Sequence, residues 1–95
     1  MHARVVRFTD VTPEQVANVV SRVEESDGPP PGVDSVAMKL LYDQDQGTAV
    51  FVGFFDTEQK MRDAAAVLEQ MDASDTPGTR ASIDQCEVRI ERSAD

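Results

Sequence analysis

An almost uninterrupted apolar run, Ala49-Val50-Phe51-Val52-Gly53-Phe54-Phe55, stands near the middle of the chain. Asp43-Gln44-Asp45-Gln46-Gly47 precedes it and Asp56-Thr57 follows it. Its length, its β-branched and aromatic residues and its polar flanks predict a strand. Alternation puts Val50, Val52 and Phe54 on one face and Ala49, Phe51, Gly53 and Phe55 on the other. A strand apolar on both faces needs cover on both sides. Helices are expected over one face, and a second copy of the chain over the other.

The remaining pattern supplies those helices and three further strands. Ala3 to Phe8, with Val5, Val6 and Phe8, reads as the first strand. Thr12-Pro13-Glu14-Gln15 opens a helix, with Thr12 as N-cap, Pro13 in the first turn and Gln15 completing a capping box. Val16, Val19, Val20 and Val23 form its apolar stripe, and it is expected to end near Ser26. All four are β-branched, so packing rather than propensity must hold this helix. Asp27-Gly28-Pro29-Pro30-Pro31-Gly32 is a stiff connector.

Val36 to Tyr42 predicts the second strand, with Val36, Met38, Leu40 and Tyr42 on one face and Ala37, Lys39 and Leu41 on the other. The loop to Gly47 makes a hairpin with the central strand. Asp43 and Asp45 lack the further ligands and closing Glu of a calcium loop, so this is read as a solvated turn. A second helix starts at Asp56-Thr57-Glu58-Gln59, with Asp56 as the expected cap. Met61, Ala64, Ala65, Leu68 and Met71 make its stripe. After a polar stretch from Ala73 to Arg80, Cys86, Val88 and Ile90 alternate with Gln85, Glu87, Arg89 and Glu91 as a half-buried last strand. The order β-α-β-β-α-β predicts an α+β, ferredoxin-like fold in one domain over residues 1–95. It has a four-stranded antiparallel sheet with both helices on one face.

Charge narrows the partners. Eighteen acidic against nine basic residues give a formal net charge of −9. That argues against nucleic acid, whose phosphates call for Lys and Arg, and against anionic membrane surfaces. No apolar run approaches the roughly 18 residues of a membrane helix, and the first residues are too polar for a signal peptide. The single cysteine, Cys86, rules out an internal disulfide and fits a reducing, cytoplasmic setting.

The hairpin Leu40-Leu41-Tyr42-Asp43-Gln44-Asp45-Gln46-Gly47, the segment Phe54-Phe55-Asp56-Thr57-Glu58-Gln59-Lys60-Met61 and the opening His2-Ala3-Arg4-Val5 together resemble the antibiotic-biosynthesis monooxygenase-like proteins of the dimeric α+β barrel superfamily. The resemblance covers nearly the whole chain in element order. It implies a homodimer with sheets packed face to face and a pocket between each sheet and its helices. Known members include cofactor-free monooxygenases acting on aromatic polyketides and haem-degrading enzymes. The chain departs from them at several points. Phe55 stands where those enzymes often carry a pocket Trp, so the resemblance turns the Phe55 face toward the helices and leaves the Val52 face to the second copy. Asn18, the only Asn, lies on the first helix rather than the first strand, and the only His, His2, is near the terminus rather than on the second helix. No haem, metal or other cofactor is therefore expected.

Individual residues leave the chemistry open. Tyr42, the sole tyrosine, could contact a bound compound or simply close its strand with a wet hydroxyl. His2 could serve as a base, and Cys86 reads as a small apolar residue rather than a nucleophile. Arg4, Arg7 and Lys39 could gather an anion or pair with Glu87 or Glu91. No phosphate loop, Ser-His-Asp order or HExxH motif occurs. No catalytic residue can be named from the pattern.

Two functions stand. One is a protein that binds, or as a cofactor-free monooxygenase oxidises, a small apolar or aromatic compound, with Phe8, Met38, Tyr42, Phe51, Phe55 and Met61 as pocket walls. The other is a non-catalytic ligand-sensing or dimerisation module. A cavity of about 300 Å³ or more favours the first and a packed interior the second. In either, Val50, Val52 and Phe54 are expected to meet a second copy.

Overall fold

The computed structural model describes residues 1–70 and 77–93. Its elements follow the order β1 (His2–Thr9), α1 (Pro13–Glu25), β2 (Ala37–Asp43), β3 (Thr48–Phe55), α2 (Glu58–Leu68) and β4 (Thr79–Glu87). The strands form one antiparallel sheet in the order β2-β3-β1-β4. The apolar run is the inner strand β3, flanked by β1 and β2, and the plan is the ferredoxin-like α+β fold.

Register fixes the two faces, because residues directly opposite in an antiparallel pair share a face. Phe51 lies across from Val6 and Leu40, and Ala49 from Phe8 and Tyr42. These residues build one core cluster of buried Val6, Phe8, Val11 and Ala49, against which Val16, Leu40, Tyr42, Phe51 and Ile83 pack. The Phe8 and Phe51 rings meet edge to face, with centroids 5.6 Å apart at 84°. A second cluster joins Phe55 of β3 to Met61 and Ala64 of α2, with Val33 packed against it. Phe55 thus faces the helices, in the phase that the resemblance implies.

Local chemistry starts each helix. Thr12 Oγ1 accepts from the Gln15 backbone N–H at 3.2 Å, and Gln15 Oε1 accepts from the Thr12 N–H at 3.0 Å, completing the capping box. Val11 and Val16 flank that box in the positions of a hydrophobic staple and belong to the same cluster. At α2 the cap is Thr57 rather than Asp56, and its hydroxyl accepts from the Lys60 N–H at 3.1 Å. Thr57 has the extended backbone that a cap needs, one residue later than the acidic signal suggests. Met71, expected on the α2 stripe, lies outside the described residues.

The last strand differs most from expectation. It spans Thr79–Glu87, not the segment from Gln85 to Glu91. As an edge strand it keeps only Ile83 half-buried, so its apolar alternation is nearly blank. Cys86 is exposed, and Val88 only continues the strand by donating its N–H to the Met1 carbonyl at 2.9 Å. Ile90 is 84% exposed.

The connector after α1 folds back onto α2. Val33 joins the α2 cluster, and Asp34 pairs with Lys60 at 3.0 Å. Gly32, at φ +89°, passes so close that a Cβ there would lie 2.8 Å from Val67 Cγ2. No described helix is long and apolar enough to cross a membrane.

Candidate functional site

The two helices cover the sheet unequally. α2 buries Met61 and Ala64 completely or nearly so, because Ala64 lets its backbone approach the sheet closely. α1 buries none of its residues. Its first turns are anchored by the staple, with Val16 and Val19 half-buried, but Val20 and Val23 further along are 39% and 44% exposed. The second half of α1 therefore leaves a cleft above the edge strand β2. This cleft has a volume of about 210 Å³ and is lined by Val20, Val23 and Glu24 from α1 and by Met38 and Leu40 from β2. Its surface is almost wholly apolar, with Glu24 as its one charged side chain. It is smaller than the roughly 300 Å³ at which drug-sized pockets begin.

Of the expected pocket walls, Met38 lines this cleft. Phe8, Phe51 and Tyr42 instead gather in the first core cluster, and Phe55 and Met61 in the second. Gly53 leaves less of a gap than its missing side chain suggests: a Cβ there would meet Phe55 Cε2 at 3.3 Å, so the Phe55 ring already fills that space. Val20, Val23 and Glu24 were not expected as lining. The four-valine stripe reads as a fully packed face, whereas in the structure Val20 and Val23 stay exposed.

Tyr42 sits two residues beyond Leu40 on the same face of β2. Its hydroxyl is buried and has no hydrogen-bond partner among the described residues, where the pattern left open a wet one. An unpaired buried hydroxyl is costly and marks a place where a polar atom would be accommodated.

The basic residues split between the faces. Arg4 lies opposite Gly53 on the helix face, whereas Arg7 opposite Val50 and Lys39 opposite Val52 lie on the other, so the three do not make one anion site. Arg4 pairs with Glu69, the C-cap of α2, at 3.3 Å rather than with Glu87 or Glu91. Arg80 contacts both Glu69 oxygens at 3.1 and 3.2 Å. Burial lowers the Arg4 guanidinium pKa from its ordinary value, and the Glu69 charge acts to raise it. The Arg4 Nε is buried without a partner among the described residues.

The β2-β3 turn is closed by its own side chains. Asp43 accepts from the Gln46 backbone N–H at 3.2 Å and from its side-chain amide at 2.8 Å, which holds the Asp43 carboxyl below its ordinary range. Gly47, at φ +65°, ends the turn. Among the described residues, no group of three or more His, Cys, Asp or Glu side chains could hold a metal ion.

The face away from the helices has a regular pattern. One row across it runs Lys39-Val52-Val5-Asp84, with Leu41-Val50-Arg7-Ser82 on one side and Ala37-Phe54-Ala3-Cys86 on the other. Its inner strands are apolar except for Arg7 on β1, and its edges carry Lys39 on β2 and Asp84 on β4. No family model matches this chain, and no curated protein matches it either.

Proposed function

We propose that the protein is a homodimeric module that binds a small apolar compound in the cleft between α1 and β2, and that two copies pack their uncovered sheet faces together. The apolar lining of Val20, Val23, Met38 and Leu40 carries the first part. A cleft of about 210 Å³ without an assembled acid, base or nucleophile favours binding over turnover. Membership of the antibiotic-biosynthesis monooxygenase-like proteins, supported by element order and strand order, belongs to the same reading. So does a cytoplasmic setting, which the exposed Cys86 thiol fits.

The test is a titration of ¹⁵N-labelled protein with hexan-1-ol. Saturable shifts centred on Val20, Val23, Met38 and Leu40 are expected. Shifts that are absent, or spread evenly over the surface, would overturn the reading.

A second reading, in which a substrate is held against the unpartnered Tyr42 hydroxyl for oxidation, requires the core cluster around that ring to open. Dioxygen uptake with an electron-rich aromatic compound, lost in Tyr42→Phe, would support this reading over simple binding.

A further inference from the structure

We infer that the α1–β2 cleft selects a small aliphatic amine, an inference that rests on the binding reading above. Four of its five lining residues are aliphatic or thioether side chains, and none is aromatic. They offer a ligand body contact but no hydrogen bond. The surface is almost wholly apolar, so Glu24 meets the cleft through its methylenes, and its carboxylate is the acceptor open to a polar head that emerges at the mouth. A carboxylate accepts hydrogen bonds and attracts positive charge, and an ammonium supplies both a charge and several donors.

The position of Glu24 reinforces this. It lies in the last turn of α1, which ends at Glu25. Unsatisfied carbonyls make that end of a helix electronegative. The sole base in that turn, Arg22, is not among the lining residues. A formal net charge of −9 adds a long-range field of the same sign. An alcohol of the same length would gain the apolar contact alone. A carboxylate would meet repulsion from Glu24 and the helix end.

Hexylamine, hexan-1-ol and hexanoate share one body and differ in the head, so they separate the two claims. Dissociation constants from ¹⁵N-labelled protein at low salt are expected to rank amine, alcohol, carboxylate, tightest first. The amine's advantage over the alcohol should be roughly two- to fivefold, the worth of an exposed ion pair. Glu24→Gln should remove that advantage, whereas Glu25→Gln, an equal change of net charge one residue away, should keep it. Equal binding of amine and alcohol would overturn the amine inference and leave the binding reading standing. An amine preference that survives Glu24→Gln would also overturn it, by tracing the preference to overall charge. Failure of all three compounds to bind would sink the binding reading itself.

Discussion

Arg4 of β1 places its guanidinium 3.3 Å from the carboxylate of Glu69, across a sequence separation of 65 residues. The two ends of this pair are unlike: the Arg4 side chain is 11% exposed and that of Glu69 46%. Removing the acid leaves a nearly buried cation with an already unpartnered Nε. Glu69→Gln should therefore cost about 1–2 kcal/mol, between the surface and buried limits for ion pairs. Arg4→Met removes the buried charge as well and should cost less. Urea unfolding midpoints of the two variants decide this, and the reverse order would show that the pair itself, rather than the stranded charge, carries the stability.

Gly78 enters β4 at φ +56°, a conformation that L side chains rarely adopt. A Cβ there would collide with the carbonyl oxygens of Thr9 and Asp10. Both are backbone atoms, so no side-chain rotation relieves the clash. Gly78→Ala should lose at least about 2 kcal/mol, from left-handed strain together with overlap. Thermal unfolding measures it. A loss as small as that of an exposed strand glycine would mean that the β1–β4 junction is free to shift.

What could be read beforehand was whatever depends on neighbours in sequence. The capping box at Thr12 and Gln15 follows from spacing alone and agrees with the structure, and so does the phase of Phe55, which the family resemblance implies. β4 lies several residues before the alternation at Cys86, Val88 and Ile90, because an edge strand with one half-buried side chain, Ile83, has no alternation to detect. The cap of α2 is Thr57 rather than Asp56, two neighbours that carry equally good signals. The Arg4–Glu69 pair joins remote positions, and the cleft depends on how α1 sits over Met38 and Leu40. Neither leaves a trace in a local pattern. The aromatic residues expected as pocket walls lie in the chain's own core, Phe8 and Phe51 in one cluster and Phe55 in the other.

The Asp43 turn predicts a pH dependence. Two hydrogen bonds from Gln46 favour the charged carboxylate and depress its pKa below the ordinary 3.8. A depressed folded-state value means that the contribution is fully present above pH 3.8 and fades as the pH falls through the lower folded value. Asp43→Asn should therefore destabilise the protein at neutral pH and flatten the acid limb of its stability curve. Parallel curves for variant and wild type, from thermal unfolding between about pH 2 and 6, would show that the carboxylate contributes nothing.

The uncovered face of the sheet leads to the last prediction. In a single chain Val5, Val50, Val52 and Phe54 are only half-buried there, and Leu41 at the edge is 52% exposed. Monomers rarely expose contiguous apolar patches of this kind beyond a few hundred Å². Covering each large side chain is worth on the order of 1.5–3 kcal/mol, and a two-fold axis needs only one self-complementary patch. The row Lys39-Val52-Val5-Asp84 supplies such complementarity. An axis parallel to the strands, between Val52 and Val5, lays the Lys39 edge of one copy over the Asp84 edge of the other, twice. Light scattering should then give about twice the 10.4 kDa chain mass at micromolar concentration. Val52→Lys sets unpaired charges at the centre of that patch and should yield monomer or aggregate. Charge reversal of Lys39 to Glu should weaken the dimer, and adding Asp84→Lys should restore it. A wild-type mass of one chain would remove the dimer, and a double variant no stronger than the single would remove this two-fold arrangement.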